Sequence, residues 1–337
     1  MLTERQDTVL KLIVDEYIKT AEPIGSRSLS KFMNVSPATI RNEMSDLEDL
    51  GYLEKTHTSS GRIPSELGYR YYIETLIKNL DEDTEGYFEF ETLFENKEIE
   101  RDEIIKEAVD LLSQITNCTA ISLGPNAYHS KVKKVQLIPL SPTQALILVI
   151  TNFGYVESKQ IAISEDIEIE ELIKVIDLLN ELLKDTPISQ VSEKLHYEIQ
   201  HRTIKELLKY RETIVESFIE AFQKFAQTKY YLTGQSNMLY QPEFNDIQKL
   251  REFISTVENN EIFKLVESNA DGVSVKIGTE NSVTSMQDCT VVSSSYMTKD
   301  GEKGTISVVG PTRMEYRKVI PLIKYIAKHI TKLYQDE

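Results

Sequence analysis

The sequence predicts an α+β protein of two or three domains, and three observations lead to this prediction. A length of 337 residues exceeds that of one ordinary domain, and a hydrophobic fraction of 40% is enough for real cores. The first 77 residues combine short helical stretches with a hairpin pattern. Further on, strand-like segments occur on both sides of a helical block at residues 168–228, which indicates an α+β domain interrupted by an insertion.

Two helices are predicted at the N-terminus. Thr3 and Gln6 fit a capping box, and apolar residues then recur at helical spacing as far as Ile18. The break "PIG" separates this helix from a second, short one. Ser26 is predicted to cap that second helix, and Phe32 is predicted to face inward.

A third helix and a hairpin complete the N-terminal pattern. Ser36, followed by Pro37 at the first helical position, is the combination expected at a helix start. Residues 52–55 and 62–64 are predicted to be strands joined by a short loop, and Ser65 is predicted to cap a further helix. Helix, helix, turn, helix and hairpin is the order of a winged helix-turn-helix.

The side of the third helix that faces away from its apolar stripe is predicted to read DNA bases. Successive helical residues turn by about 100°, so Arg41 and Asn42 lie side by side there, with Ser45 nearby. Arginine suits guanine and asparagine suits adenine, and each bidentate pair gives about 1–3 kcal/mol of discrimination. The alternative interpretation is a surface ion pair of Arg41 with Asp46 or Glu48, which contributes little.

Phosphate contacts are predicted around this helix. Ser36 and Thr39 lie where hydroxyls and free backbone N–H groups can hold a phosphate. The wing turn contains Ser60 and Gly61, where glycine permits a positive φ, and Arg62 is predicted to leave the loop pointing outward, towards a minor groove. Three further cations are candidate phosphate contacts, although each is equally consistent with plain surface: Lys55, Arg27 and Arg70.

Charge limits the DNA contact to one locally matched site. The formal net charge is −16, but residues 1–77 hold nine Lys/Arg against twelve Asp/Glu, a net of −3. The other 260 residues hold 29 against 42, a net of −13. An acidic chain repels polyphosphate at long range, yet screening confines exposed charges to about 8–10 Å at ordinary salt.

The rest of the chain shows strand patterns and no catalytic pattern. Residues 119–123, 132–140, 144–151 and 154–163 are predicted to form an antiparallel meander. No Gly-rich phosphate loop follows a strand, no Ser or Cys lies in a nucleophile motif, and Cys118 and Cys289 form no CxxC pair. The five histidines are scattered: His57, His129, His196, His201 and His329. We therefore expect no catalytic site, metal or cofactor.

Nothing in the sequence predicts export or membrane insertion. The opening "MLTERQDTV" has no apolar segment behind a basic cap, and the longest pure apolar run, "ALILVI", is too short to cross a bilayer. We expect a soluble, cytoplasmic protein without a membrane partner.

Three separated blocks of this sequence resemble the HrcA family of heat-inducible transcription repressors. These blocks are "EPIGSRSLS", "VSPATIRNEMSDLEDLGYLEKTHTSSGRIPSELGYRYYI" and "GTISVVGPTRMEYRKVI". They span essentially the full chain. The continuation "GRIPSELGYRYY" past the wing is far more specific than a generic winged helix.

The resemblance implies an architecture. The residue pattern itself predicts a winged helix-turn-helix at 1–77 and an acidic linker and helix at 78–105. The resemblance adds a GAF-like α+β domain at 106–160 and 235–337 and an inserted, mainly helical dimerisation domain at 161–234.

The resemblance also implies a function. Such a homodimer binds double-stranded DNA at an inverted repeat called CIRCE, represses the groE and dnaK chaperone operons, and depends on the GroE chaperonin for activity. The alternative is a winged-helix repressor controlled by a small-molecule effector in the GAF-like domain, and an enzyme with an incidental winged helix is a third class.

Overall fold

The structure is a computed structural model. It describes residues 2–56, 61–79, 87–96, 99–124, 131–152, 156–163, 169–187, 190–191, 194–195, 197, 230–258, 261–266, 272–299 and 301–335. The chain divides into two compact units. One unit combines residues 1–122 with residues 232–337, and the other comprises residues 123–231.

The described helices and strands mix both types along the chain, which confirms the α+β prediction. The first part contains α1 (Glu4–Thr20), α2 (Ser26–Leu29), α3 (Pro37–Asp49), β1 (Leu53–Lys55), β2 (Arg62–Pro64), α4 (Glu66–Lys78), α5 (Phe88–Phe94) and α6 (Arg101–Thr116). The middle part contains β3 (Thr119–Leu123), β4 (Val132–Ser141), β5 (Gln144–Thr151), β6 (Val156–Ala162), α7 (Ile169–Leu183) and β7 (Tyr230–Thr233). The last part contains α8 (Ile247–Glu258), β8 (Val273–Ile277), β9 (Cys289–Met297), β10 (Lys303–Pro311) and α9 (Tyr316–Gln335), with a 3₁₀ turn at Gly278–Glu280.

Elements α1 to α4 form the predicted winged helix. The capping box of Thr3 and Gln6 is present, and α1 packs against α2, α3, α4 and β2. Its core is apolar and fully closed, and includes Leu10, Ile13, Leu29, Ile40, Leu47 and Ile73. The inward orientation predicted for Phe32 is wrong. Helix α2 ends at Leu29, so Phe32 falls in the following turn and is 60% exposed.

A five-stranded sheet forms the C-terminal part of the first unit. The strand order is β7-β3-β10-β9-β8, and β9 pairs antiparallel with both β8 and β10. Helix α9 lies on this sheet, with its apolar face buried against β9 and β10, and α6 packs beside it. The sequence predicts β3 in a meander with β4, but the structure places β3 in this larger sheet.

The segment predicted as an acidic linker and helix contains helix α5, which packs against the core rather than being fully solvated. In α5, Phe90 is fully buried and Leu93 is nearly so. The ring centroid of Phe90 lies 6.4 Å from that of Tyr325 on α9. The acidic residues of α5 occupy its other faces, so a charge-rich stretch still contributes apolar surface to the core.

The second unit has a core of its own. Strands β4, β5 and β6 form an antiparallel meander, and α7 packs against β4. The Asn180 side chain on α7 donates to the Val135 carbonyl and accepts from the Val135 N–H, at 2.8 and 2.7 Å. The sequence places the insertion at 161–234, whereas this unit begins at 123, because the meander shares its core with α7. The part of the predicted helical block that runs from residue 198 to residue 228 lies outside the described residues.

Among the described helices, none combines the length and the apolar content needed to cross a membrane. Both cysteines are free thiols in the protein interior.

Candidate nucleic-acid interface

Helix α3 begins as the sequence predicts. The hydroxyl of Ser36 accepts a hydrogen bond from the Thr39 N–H at 3.2 Å, and Pro37 occupies the first turn. The Ser36 and Thr39 hydroxyls also lie 2.9 Å apart and share a hydrogen bond. Ser36 is exposed and Thr39 is half-buried. The hydroxyls therefore fix the start of α3 and stay close to solvent, where a phosphate oxygen can reach them.

The two sides of α3 differ as an interface requires. Ile40, Met44 and Leu47 are buried against the rest of the winged helix. On the other side Arg41, Asn42 and Ser45 are exposed, and none of them has a side-chain hydrogen bond or ion pair within the described part of the chain. The alternative ion pair of Arg41 with Asp46 or Glu48 is not formed among the described residues. The donors and acceptors of this edge are available to a ligand.

Glu48 is engaged by a different arginine. The Arg62 Nε donates to Glu48 Oε2 at 2.6 Å, and the Arg62 side chain is only 16% exposed. The sequence predicts that Arg62 points outward, but the structure turns it back onto α3. Its backbone also pairs with Ile24 through two hydrogen bonds of 2.9 Å. Arg62 thus ties the base of the wing to both α3 and the α1–α2 connection.

Lys55 is the exposed cation of the wing strands. It pairs with Arg62 across the β1–β2 ladder, next to the loop. Lys55 is exposed and has no side-chain partner among the described residues. Glu48 neutralises Arg62, the cross-strand neighbour of Lys55. Lys55 is therefore the residue of this cross-strand pair whose positive charge can contact a phosphate.

The structure requires a glycine at position 61, but not for the positive φ that the sequence predicts. Gly61 is buried and its φ is outside the left-handed region. A Cβ at this position would lie 2.8 Å from the backbone of Pro23, so a close approach of two chain segments requires the glycine. Ser60, the other residue of the predicted wing turn, lies outside the described residues.

The two remaining candidates behave differently. Arg27 on α2 is exposed, and its side chain has no partner within the described ranges. Arg70 instead donates to the Val275 carbonyl at 2.9 Å and forms an ion pair with Glu280. The structure therefore gives Arg70 a role inside the chain, and we leave it out of the candidate interface.

Sequence reasoning gave one residue near this site the wrong partner and missed another. Glu48 holds Arg62 across 14 positions, and only the folded wing brings the two together. Lys31, in the turn after α2, is an exposed cation without a side-chain partner among the described residues. Its charge next to a turn is the sequence signal that could have found it.

The described residues bring no metal-binding cluster together. They contain no group of three His, Cys, Asp or Glu side chains that could hold a metal ion. His329 stacks against Phe94, with ring centroids 5.2 Å apart, and burial lowers its pKa. The other four histidines lie outside the described residues. Burial raises the pKa of the Cys118 thiol to about 12 and also raises that of Cys289, so both thiols stay protonated and unreactive at neutral pH.

Comparison with known proteins agrees with this geometry. Residues 1–73 match the profile described as "Winged helix-turn-helix transcription repressor, HrcA DNA-binding", and residues 102–320 match "HrcA protein C terminal domain". The winged helix and its exposed α3 edge thus belong to a DNA-binding transcription repressor, which is not an enzyme.

Full-length relatives identify the family. The chain is 41% identical over 338 residues to the heat-inducible transcription repressor HrcA of Acholeplasma laidlawii (strain PG-8A), covering 100% of this chain and 98% of the relative. A second A. laidlawii sequence of that name gives the same values. A crystal structure described only as that of a hypothetical protein is 26% identical, with a TM-score of 0.64 and coverage of 100% and 99%. This chain belongs to the HrcA family of heat-inducible transcription repressors.

Proposed function

We propose that this repressor acts as a homodimer on the inverted-repeat CIRCE operator of the groE and dnaK chaperone operons. One observation carries the proposal. Helix α3 is capped and buried on one side, while its other side presents Arg41, Asn42 and Ser45 without intramolecular partners among the described residues. An exposed Arg–Asn pair on the third helix of a winged helix is the arrangement that reads base edges in a major groove.

The surrounding residues hold the DNA backbone in this proposal. Ser36 and Thr39 receive a phosphate at the start of α3, and Arg27 and Lys55 contact phosphates on either side. Arg62 acts indirectly, because its pairing with Glu48 sets the angle of the wing. The four hydroxyl and cationic side chains explain how a chain with a net charge of −16 still binds DNA at one place.

Dimerisation follows from the symmetry of the operator. One winged helix per chain reads one half-site, so an inverted repeat requires two chains related by a two-fold axis. We assign this pairing to the insertion predicted at 161–234 and the response to heat to the larger C-terminal region. A cytoplasmic location agrees with a DNA target.

Heat controls occupancy through the C-terminal part in this proposal. Misfolded proteins engage the GroE chaperonin when the temperature rises, repressor is left inactive, and transcription of the chaperone operons increases. Purified repressor that has lost operator binding after mild heating should regain it when chaperonin is added. Recovery with chaperonin absent from the mixture would contradict this part of the proposal.

A gel shift tests the central claim. Purified full-length protein should retard a duplex carrying the CIRCE inverted repeat at low salt, and a scrambled duplex of equal length and composition should bind far more weakly. Affinity should fall with added salt, with a slope of about −0.9 per phosphate contact. Equal affinity for the two duplexes, with the protein folded and dimeric, would refute sequence-specific repression.

A further inference from the structure

The winged helix and the C-terminal sheet, which belong to one compact unit, are joined by charged contacts at two separate places. At the first place, the Glu66 carboxylate accepts from the Thr279 N–H at 2.9 Å and from the Thr279 hydroxyl at 2.6 Å. One turn further along α4, Arg70 holds Glu280 and the Val275 carbonyl. Glu66 and Arg70, which carry opposite charges, thus bind β8 and the 3₁₀ turn that follows it.

The second place lies between α1 and the start of α9. The Arg317 guanidinium donates to both oxygens of Asp15, at 3.1 and 3.0 Å, and to the Tyr72 hydroxyl at 2.9 Å. Tyr72 in turn donates to Asp15. The neighbouring Arg313 donates to the carbonyl of Ile18 at 3.2 Å, and Ile18 is the last buried residue of α1. Two-point arginine contacts of this kind fix orientation as well as distance.

A closed aromatic contact lies between these two places. The ring centroids of Tyr69 and Tyr72 are 5.9 and 6.5 Å from that of Tyr316, and all three side chains are almost completely buried. Gly278 allows the Glu66 carboxylate to approach the backbone closely. It has φ +52°, and a Cβ at this position would overlap that carboxylate. An apolar centre with a directional contact on each side resists both tilting and rotation.

We propose that Glu66, Arg70 and Arg317 are positioning residues that hold the recognition helix α3 at a fixed angle to the C-terminal sheet. Their contacts, called the joint below, thereby set the half-site spacing that the dimer accepts. The inference rests on the proposed function, because spacing matters only to a dimer on an inverted repeat. Helix α3 shares one closed core with α1 and α4, the two helices that carry these contacts. These contacts therefore fix α3 relative to the C-terminal sheet of the same unit.

The test uses a charge-neutral double variant of the full-length protein, Glu66→Ala with Arg317→Ala. The matched control, Lys249→Ala with Asp288→Ala, removes an ion pair of 2.7 Å within the C-terminal part and leaves the joint intact. Fluorescence anisotropy would measure affinity for a single half-site and for inverted repeats whose central spacer is shortened or lengthened in steps.

Wild type and control should lose about tenfold or more in affinity when the spacer changes by about five base pairs, half a helical turn. The joint variant should lose less than about threefold over the same change, with half-site affinity within about twofold of wild type. A spacing profile identical to that of wild type, with circular dichroism showing a native fold, would overturn the proposal.

The remaining outcomes are also decisive. If the double variant does not fold, Arg317→Lys keeps the charge but loses the planar two-point contact, and it should broaden the spacing profile to an intermediate degree. An unchanged profile for that variant would overturn the proposal as well. If wild-type protein binds no inverted repeat at any spacing, the proposed function is refuted. The spacing preference on which the joint proposal rests would then not exist.

Discussion

Replacing Arg41 by alanine should separate DNA binding from folding. Arg41 is exposed and has no side-chain partner among the described residues, so its loss should change the free energy of unfolding by less than about 0.5 kcal/mol. A bidentate arginine–guanine contact gives about 1–3 kcal/mol, and the proposed dimer would lose it in both half-sites, which totals about 2–6 kcal/mol. Affinity for the matched operator should therefore fall by about 30-fold to 10⁴-fold.

Anisotropy titration against the CIRCE duplex and urea unfolding, followed by circular dichroism, measure the two quantities. Arg251→Ala is the matched control, because Arg251 is an exposed arginine on α8, outside the winged helix. It removes the same charge and should change operator affinity by less than about threefold. The reasoning about α3 fails if Arg41→Ala keeps wild-type affinity, or if Arg251→Ala loses as much.

Four further predictions concern stability and thiol chemistry. Ser36→Ala removes the cap on the Thr39 N–H and should lower the free energy of unfolding by about 1 kcal/mol in urea titrations, whereas Ser45→Ala should leave it unchanged. Gly61→Ala pushes a methyl group against the Pro23 backbone and should cost about 1–3 kcal/mol, visible as a lower Tm; an unchanged Tm would show that the wing has room. Since burial raises the pKa of Cys118 to about 12, the unfolded chain loses its thiol protons first as pH rises from about 8.5, so stability should decline between that value and about 12. Ellman's reagent at pH 8 should leave both thiols unmodified until denaturant is added, and rapid labelling of the native protein would contradict their burial.

The local features of the winged helix could be predicted from sequence because they depend on neighbours in the chain. Capping by Thr3 and Ser36 needs partners three residues away, and both caps are present. The exposure of Arg41 and Asn42 follows from helical periodicity alone. Phe32 shows the limit of this reasoning, since periodicity applied beyond the end of a four-residue helix gives the wrong side.

Contacts between distant segments could not be predicted. Arg70 meets Glu280 across 210 positions, and Gly61 is required by the approach of Pro23, which periodicity does not reveal. An exposed arginine and a paired arginine look the same in sequence. The same limit applies to β3, whose apolar pattern fits the meander and the larger sheet equally well.

The arrangement of β3 and β7 affects how freely this architecture can change. Thr119 at the beginning of β3 donates to the Gly234 carbonyl just after β7, so the two neighbouring strands run in opposite directions. The chain leaves the sheet after Leu123 and returns at Tyr230 on the adjacent strand, at a separation of about 5 Å. Residues 124–229 are therefore inserted between two adjacent antiparallel strands of one sheet. This insertion could be shortened, exchanged or replaced by a tight turn, in evolution or by design. The sheet, and the winged helix that packs against it, would stay intact.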